Sequence, residues 1–264
     1  MITMKSRVFY AIVWAVLVGA TVMEVFTRSL PMAVSLIVLV IIAIACTKAV
    51  LIALYYQGLR YEPASLAVLP LAAFFIVAAL LIPGAEIIAR NVGLNPTRTG
   101  LLEVLKNMGA AIELSNMHDV SGEPVGDIYC RGKAALKAVS ITGDMVPSLI
   151  DEFPVLCVAA SLAEGTTIIR GAQELRVKES DRINTIAAEL RKMGVEIEEY
   201  PDGLSIKGAE RLRGAEVESH GDHRIAMSMA VAALAAEGRT VINNASAVDI
   251  SFPGFFNITG RLSS

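Results

Sequence analysis

Uncharged apolar residues run almost unbroken through the first quarter of the chain. Residues 8–23 carry no charge, and residues 31–47 form a second such run, broken by Lys48 before residues 49–56 resume it. At about 1.5 Å per helical residue each run approaches the thickness of a hydrocarbon core, so two membrane helices within residues 7–56 are predicted. Tyr55 and Tyr56 suit the interface. A cleaved signal peptide is the competing reading of the first run, but no small-x-small site is followed by a polar mature segment. Residues 63–85 are a third uncharged stretch that hydropathy alone would accept as a span.

An internal repeat changes the reading of that third stretch. Ala78-Ala-Leu-Leu-Ile-Pro-Gly-Ala-Glu-Ile-Ile, Ala159-Ala-Ser-Leu-Ala-Glu-Gly-Thr-Thr-Ile-Ile and Ala232-Ala-Leu-Ala-Ala-Glu-Gly-Arg-Thr-Val-Ile are one unit, with glycines at 84, 165 and 238. Leu102-Glu-Val-Leu-Lys-Asn-Met-Gly109 and Ala187-Ala-Glu-Leu-Arg-Lys-Met-Gly194 extend the correspondence to an amphipathic helix. Each unit reads as an apolar helix, a glycine turn, a β-branched strand, a loop, an amphipathic helix closed by Gly109 or Gly194, and further strands. The class is α+β, with one sheet per unit around buried helices. The helices before Gly165 and Gly238 sit in this repeat, so the helix before Gly84 is expected to pack in the same interior rather than in lipid. The domains are then 1–71, a membrane-spanning helical segment of two (by hydropathy three) transmembrane helices, and 72–264, the repeated α+β domain.

Composition sharpens the boundary. The mean hydropathy of +0.57 is high for a soluble chain, but residues 1–71 hold five Lys/Arg and two Asp/Glu, against eighteen and twenty-four in residues 72–264. Lys5 and Arg7 before the first run and Arg60 after the second place both ends of a two-span hairpin, and hence the globular domain, in the cytoplasm. The acidic second part carries no basic stripe, which excludes a nucleic-acid surface. Cys46, Cys130 and Cys157 lack metal-ligand spacing and read as free thiols, so no metal is implied. Glu24 and Lys48 within apolar runs could form a proton path, or could sit near span ends with Lys48 snorkelling.

The chemistry gathers in three stretches. Gly171-Ala-Gln-Glu-Leu-Arg-Val-Lys-Glu-Ser-Asp-Arg182 sets Arg176, Lys178, Glu179, Asp181 and Arg182 where a strand gives way to a helix, a place where an anion meets cations and unpaired N–H groups. Ser148-Leu-Ile-Asp-Glu-Phe-Pro154 and Gly221-Asp-His-Arg-Ile-Ala-Met227 also put charge just before an apolar helical run. Taken alone, the first stretch is equally a solvated helix start capped by Ser180 or Asp181.

Together with Asn91-Val-Gly-Leu-Asn-Pro-Thr-Arg-Thr-Gly100, these segments resemble, in order and spacing, the signatures of the EPSP synthase family, 3-phosphoshikimate 1-carboxyvinyltransferases. The resemblance spans about 72–256, the C-terminal half of that family. It implies transfer of the enolpyruvyl group of phosphoenolpyruvate to a hydroxyl of 3-phosphoshikimate, in the shikimate pathway, without a cofactor. By resemblance Asp151 lies near the accepting hydroxyl, Lys178 contacts the shikimate phosphate or the reacting oxygens, and Glu179 transfers a proton. Arg182 and Arg224 would clamp phosphoenolpyruvate through planar guanidinium groups. Asp222 and His223 complete the signature, His223 either assisting proton transfer or orienting Arg224. Arg98 anchors a loop or caps the helix after Gly100, while His118 and His220 read as surface or core residues.

Departures are equally specific. Family members carry Gly-Asp-x-Ser-Ser before Ala-Ala-Phe-Phe, whereas Leu66-Ala-Val-Leu-Pro-Leu71 stands here before Ala72-Ala-Phe-Phe75, and Ile250 occupies a column that holds lysine in some members. The family's first domain, which supplies further phosphate contacts, has no counterpart, so weak single-substrate binding and negligible turnover are expected unless a separate N-terminal-domain polypeptide supplies it. Residues 1–71 resemble the small subunit IV of bacterial haem-copper terminal oxidases. That offers the alternative of a membrane accessory subunit with a degenerate appendage.

Overall fold

The structure, a computed structural model, describes residues 4–27, 34–51, 65–120, 122–132 and 135–262. It divides into two compact units, Met1–Pro63 and Ala64–Ser264. In the first, α1 (Met4–Thr27) and α2 (Val34–Leu51) pack against each other. Thr21, Thr27 and Thr47 donate their hydroxyls to carbonyls one turn back, at 2.7–2.9 Å.

Among the described residues no helix is long and apolar enough to cross a membrane. The transmembrane helices expected from the sequence are therefore not supported. α2 as described has 18 residues, with Lys48 in its last turn. In α1 the uncharged stretch between Arg7 and Glu24 is shorter still. Tyr55, Tyr56 and Arg60, on which the interface and topology expectations rested, lie outside the described residues.

The second unit is built on α3 (Ser65–Leu81), α5 (Phe153–Ala160) and α7 (His223–Leu234), which pack against one another. Phe74, Ile76 and Val77 of α3 are almost wholly buried, as is every residue of α5. The third apolar stretch thus ends in a protein interior, as the repeat required. Gly84, Gly165 and Gly238 close these helices with φ of +79°, +100° and +95°, a region where side chains are strained.

The first sheet orders β1 (Glu86–Gly93), β3 (Glu123–Arg131) and β2 (Ala111–Val120) antiparallel, with α4 (Gly100–Asn107) inserted before β2. The second orders β4 (Ser140–Ile141), β5 (Thr166–Ile169), β7 (Gly203–Lys207) and β6 (Glu196–Tyr200). Here α5 is the crossover between parallel β4 and β5, and α6 (Arg182–Lys192) precedes β6. The third unit departs from the expectation of one sheet each. It has two short parallel pairs, β8 (Leu212–Arg213) with β10 (Ala236–Glu237) and β9 (Glu216–Glu218) with β11 (Val241–Asn243). The β-branched run is brief, and Asn244 turns into the left-handed region at φ 53°. α8 (Phe255–Leu262) then lays Phe255 edge-on to Phe74, 6.1 Å between ring centroids.

Candidate active site

Three helix N-termini meet in the second unit, and capping explains why. Asp181 ends the loop before α6 and accepts the N–H of Asn184 at 3.0 Å. Asp222 caps α7 by accepting the N–H of Arg224 at 2.9 Å. α5 begins after the Asp151-Glu152 pair with a proline in its first turn, a position that needs no N–H partner. Arg176 does not face this centre. Its guanidinium binds Asp181 and the carbonyls of Tyr200 and Pro201 at 2.6–2.8 Å, fixing the loop.

Arg182 is the hub. Its side chain is only 2% exposed, and it donates Nε to Asp222 Oδ2 at 2.8 Å and Nη2 to Glu179 Oε2 at 2.9 Å. Its Nη1 lies 3.7 Å from Asp151 Oδ1 and has no hydrogen-bond partner, an orphaned donor in a buried position. Arg224 donates Nη1 to the Asp151 carbonyl at 2.9 Å and approaches Asp151 Oδ2 at 3.3 Å. His223 Nδ1 is 3.4 Å from Glu179 Oε2. Asp151, Glu179, Arg182, Asp222, His223 and Arg224 therefore form one network. Lys178, next to Glu179 in the chain, is exposed and makes no side-chain hydrogen bond or ion pair with a described residue.

Burial and charge oppose each other at Asp222. Burial pushes its carboxyl up, but the Arg182 hydrogen bond and charge, the Arg224 N–H and the Ser180 hydroxyl at 3.1 Å together hold it below the usual carboxylate range. Glu179, Asp222 and His223 bring ligand atoms within 4.8 Å of one another, the spacing of a metal site. Both oxygens of Asp222 already serve donors, and the Arg182 cation fills the centre. The donor set fits an ion-pair network better than a divalent ion.

Glu152 was not singled out by sequence reasoning. It is 6% exposed, and burial pushes its carboxyl up to about 7, against the opposing pull of Arg224. The available signal was an acidic doublet placed directly before an apolar helix. Glu152 and Asp151 line a cleft of about 370 Å³ with Thr97, Arg98 and Ser148. Arg98 was expected to anchor a loop or cap α4, but its side chain makes no such bond among the described residues and lines the cleft instead. A second cleft of about 400 Å³, lined by Leu80, Leu162, Ala235 and Glu237, contains none of the network. His118 lies exposed against the Asn116 carbonyl, while His220 pairs with buried Glu189.

Two guanidinium groups, one with an unsatisfied buried N–H, stand beside the positive ends of α5, α6 and α7 and half-exposed Asp151 and Glu179. Such a site can hold a small polyanion and move protons beside it.

The chain is similar to known proteins over both of its units. Residues 69–258 match the family model EPSP synthase (3-phosphoshikimate 1-carboxyvinyltransferase). Residues 11–82 match prokaryotic cytochrome c oxidase subunit IV, and the two matches overlap within α3. A 3-phosphoshikimate 1-carboxyvinyltransferase from Thermodesulfovibrio yellowstonii is 54% identical over 191 residues, 72% of this chain and 44% of that protein. Its counterpart from Geobacter sulfurreducens is 58% identical over 184 residues, 70% of this chain and 43% of that protein. A solved EPSP synthase from Acinetobacter baumannii superposes with a TM-score of 0.70 at 44% identity, covering 73% of this chain and 45% of that one. The chain thus spans less than half the length of these relatives.

Proposed function

The chain belongs to the EPSP synthase family, and we propose that its second unit is one substrate-binding half of a 3-phosphoshikimate 1-carboxyvinyltransferase. The observation that carries this reading is Arg182, a buried guanidinium with an orphaned N–H, set between the carboxylates of Asp151 and Glu179 and beside Arg224. Arg182 and Arg224 hold the phosphate and carboxylate of phosphoenolpyruvate. Lys178, exposed at the rim, meets the phosphate of 3-phosphoshikimate.

The reaction joins the acceptor's hydroxyl oxygen to the central carbon of the enolpyruvyl group. Asp151 takes the hydroxyl proton, while Glu179 gives a proton to the methylene carbon. Return of a proton from the resulting methyl group to Glu179 restores the double bond, as the carbon–phosphate oxygen bond breaks and inorganic phosphate leaves. His223, against Glu179, orients that carboxylate. The phosphate contacts of the other half come from a separate polypeptide in this reading. Calorimetric titration tests it: the chain alone binds phosphoenolpyruvate weakly, Arg224→Ala abolishes that binding, and turnover with both substrates is negligible. Equal binding by parent and variant sinks the anion site, and ordinary enzyme rates from the chain alone sink the dependence on a second half.

A finer reading places residues 1–71 at a membrane, with the globular unit in the cytosol where phosphoenolpyruvate is found. It is supported by exposed Trp14, Val25, Phe26 and Leu39, while among the described residues no helix is long and apolar enough to cross a membrane. Recovery of the whole chain in the soluble fraction of lysed cells would end it.

A further inference from the structure

We propose that the Glu189–His220 pair is a positioning element for the anion site, holding the turn of residues 219–222 so that Asp222 serves Arg182 and the N-terminus of α7 at once. The proposal rests on the reading of that site given above, but its geometry is independent of the substrate.

The turn is conformationally demanding. His220 and Gly221 are consecutive left-handed residues, with φ of 54° and 74°, a region that a histidine enters less readily than a glycine. Glu189 does the holding. Its side chain is 1% exposed; Oε1 meets His220 Nε2 at 2.9 Å, while Oε2 accepts the Glu218 N–H at 2.9 Å and the Lys192 ammonium at 2.7 Å. Inside the turn, the Ser219 hydroxyl accepts the Gly221 N–H and donates to the Asn244 carbonyl, and the Asp222 N–H returns to the Ser219 carbonyl.

Glu189 and Arg182 lie seven residues apart on α6, two turns of one helical face. That face grips the segment leading into α7 twice, at His220 by a carboxylate and at Asp222 by a guanidinium. Releasing the first grip lets the turn relax, and Asp222 is two residues further on. Arg182 then loses the orientation that aims its free Nη1 between Asp151 and Glu179.

The test uses the full chain with ¹⁵N-labelled arginine. His220→Asn and His220→Gly both tolerate the left-handed backbone and cannot reach Glu189, so strain is not the variable. In both, the Arg182 Nε–H resonance moves and the dissociation constant for inorganic phosphate rises roughly three- to tenfold, the loss of one well-placed hydrogen bond. A purely structural peg would lower the melting midpoint yet leave phosphate affinity and the Arg182 resonance as in the parent at 20 °C below melting, and that result overturns the proposal. Should the parent itself bind no phosphate, the reading of the anion site fails. The Arg182 resonance alone then decides: a shift in the variants upholds the positioning role, and an unchanged signal refutes it.

Discussion

Replacing Asp222 by asparagine isolates the charge at the centre of the network. Asparagine has the same shape, and its side-chain oxygen can still cap α7 by accepting the Arg224 N–H. What is lost is the anion facing Arg182, in a pair where the side chains are 0% and 2% exposed. The guanidinium keeps Glu179, which is half in water, and Asp151 at 3.7 Å. Breaking a buried pair at one partner costs about 3–5 kcal/mol, because the remaining charge stays desolvated. For a unit of this size that lowers the melting midpoint by roughly 10 °C. The assay is far-ultraviolet circular dichroism of the full chain at neutral pH, with Asp222→Asn, Arg182→Met and the double variant. Removing both charges leaves no buried charge unpaired, since Glu179 and Asp151 are half in water, so the double variant melts above Asp222→Asn. If Asp222→Asn melts within about 2 °C of the parent, the pair is not the buried hub described above. Acid provides the same comparison from the other side. Because the folded-state value of Asp222 lies below its ordinary 3.8, its stabilisation is complete above that value and is lost as pH falls through the lower one.

Glu152 gives the opposite pH dependence. Its carboxyl holds a proton in the fold up to about 7, while the unfolded chain releases it near 4.5, so stability falls as pH rises between these values. Glu152→Gln removes that loss and is more stable than the parent at pH 8 by up to roughly 3 kcal/mol, read from melting midpoints between pH 5 and 8. A flat parent profile across that range refutes the burial argument. Lys178 is exposed and makes no hydrogen bond or ion pair within the described structure. Lys178→Ala should therefore leave the melting midpoint within about 1 °C and weaken only the binding of phosphorylated ligands, measured by calorimetry; a large loss of stability would give Lys178 a structural role instead.

The sequence was most informative where local physics and repetition agreed. Glycines 84, 165 and 238 could be assigned to helix-ending turns because only a left-handed residue serves there, and all three have positive φ. The same repeat assigned α3 to an interior when hydropathy could not, since a buried helix and a spanning one expose the same apolar surface to a window count. Asp151, Arg182 and Arg224 lie in stretches that set charge just before apolar runs, but their roles came from the family resemblance; their convergence follows from α5, α6 and α7 sharing one core. Glu189 escaped notice because its partner is 31 residues away and it sits among charges that look like a solvated helix face. Glu152 escaped because one residue of phase decides whether an acidic doublet points to water or inward. The expected spans are not supported among the described residues, where no helix is long and apolar enough to cross a membrane.

The overlap of the two family matches within α3 bears on why the fold persists while function is conditional. α3 begins at Ser65, takes Pro70 within its length and buries Leu69. A packed helix asks its first turns for apolar volume and little else, so a sequence shared with an apolar helical family satisfies it. The site makes a stricter demand. Arg182 must direct two N–H groups at carboxylates, 2.8 and 2.9 Å away, and no apolar substitute meets that requirement. A packed helix end therefore accepts many apolar sequences without loss of architecture. The cationic contacts of the proposed anion site can be replaced only by groups of the same charge in the same places.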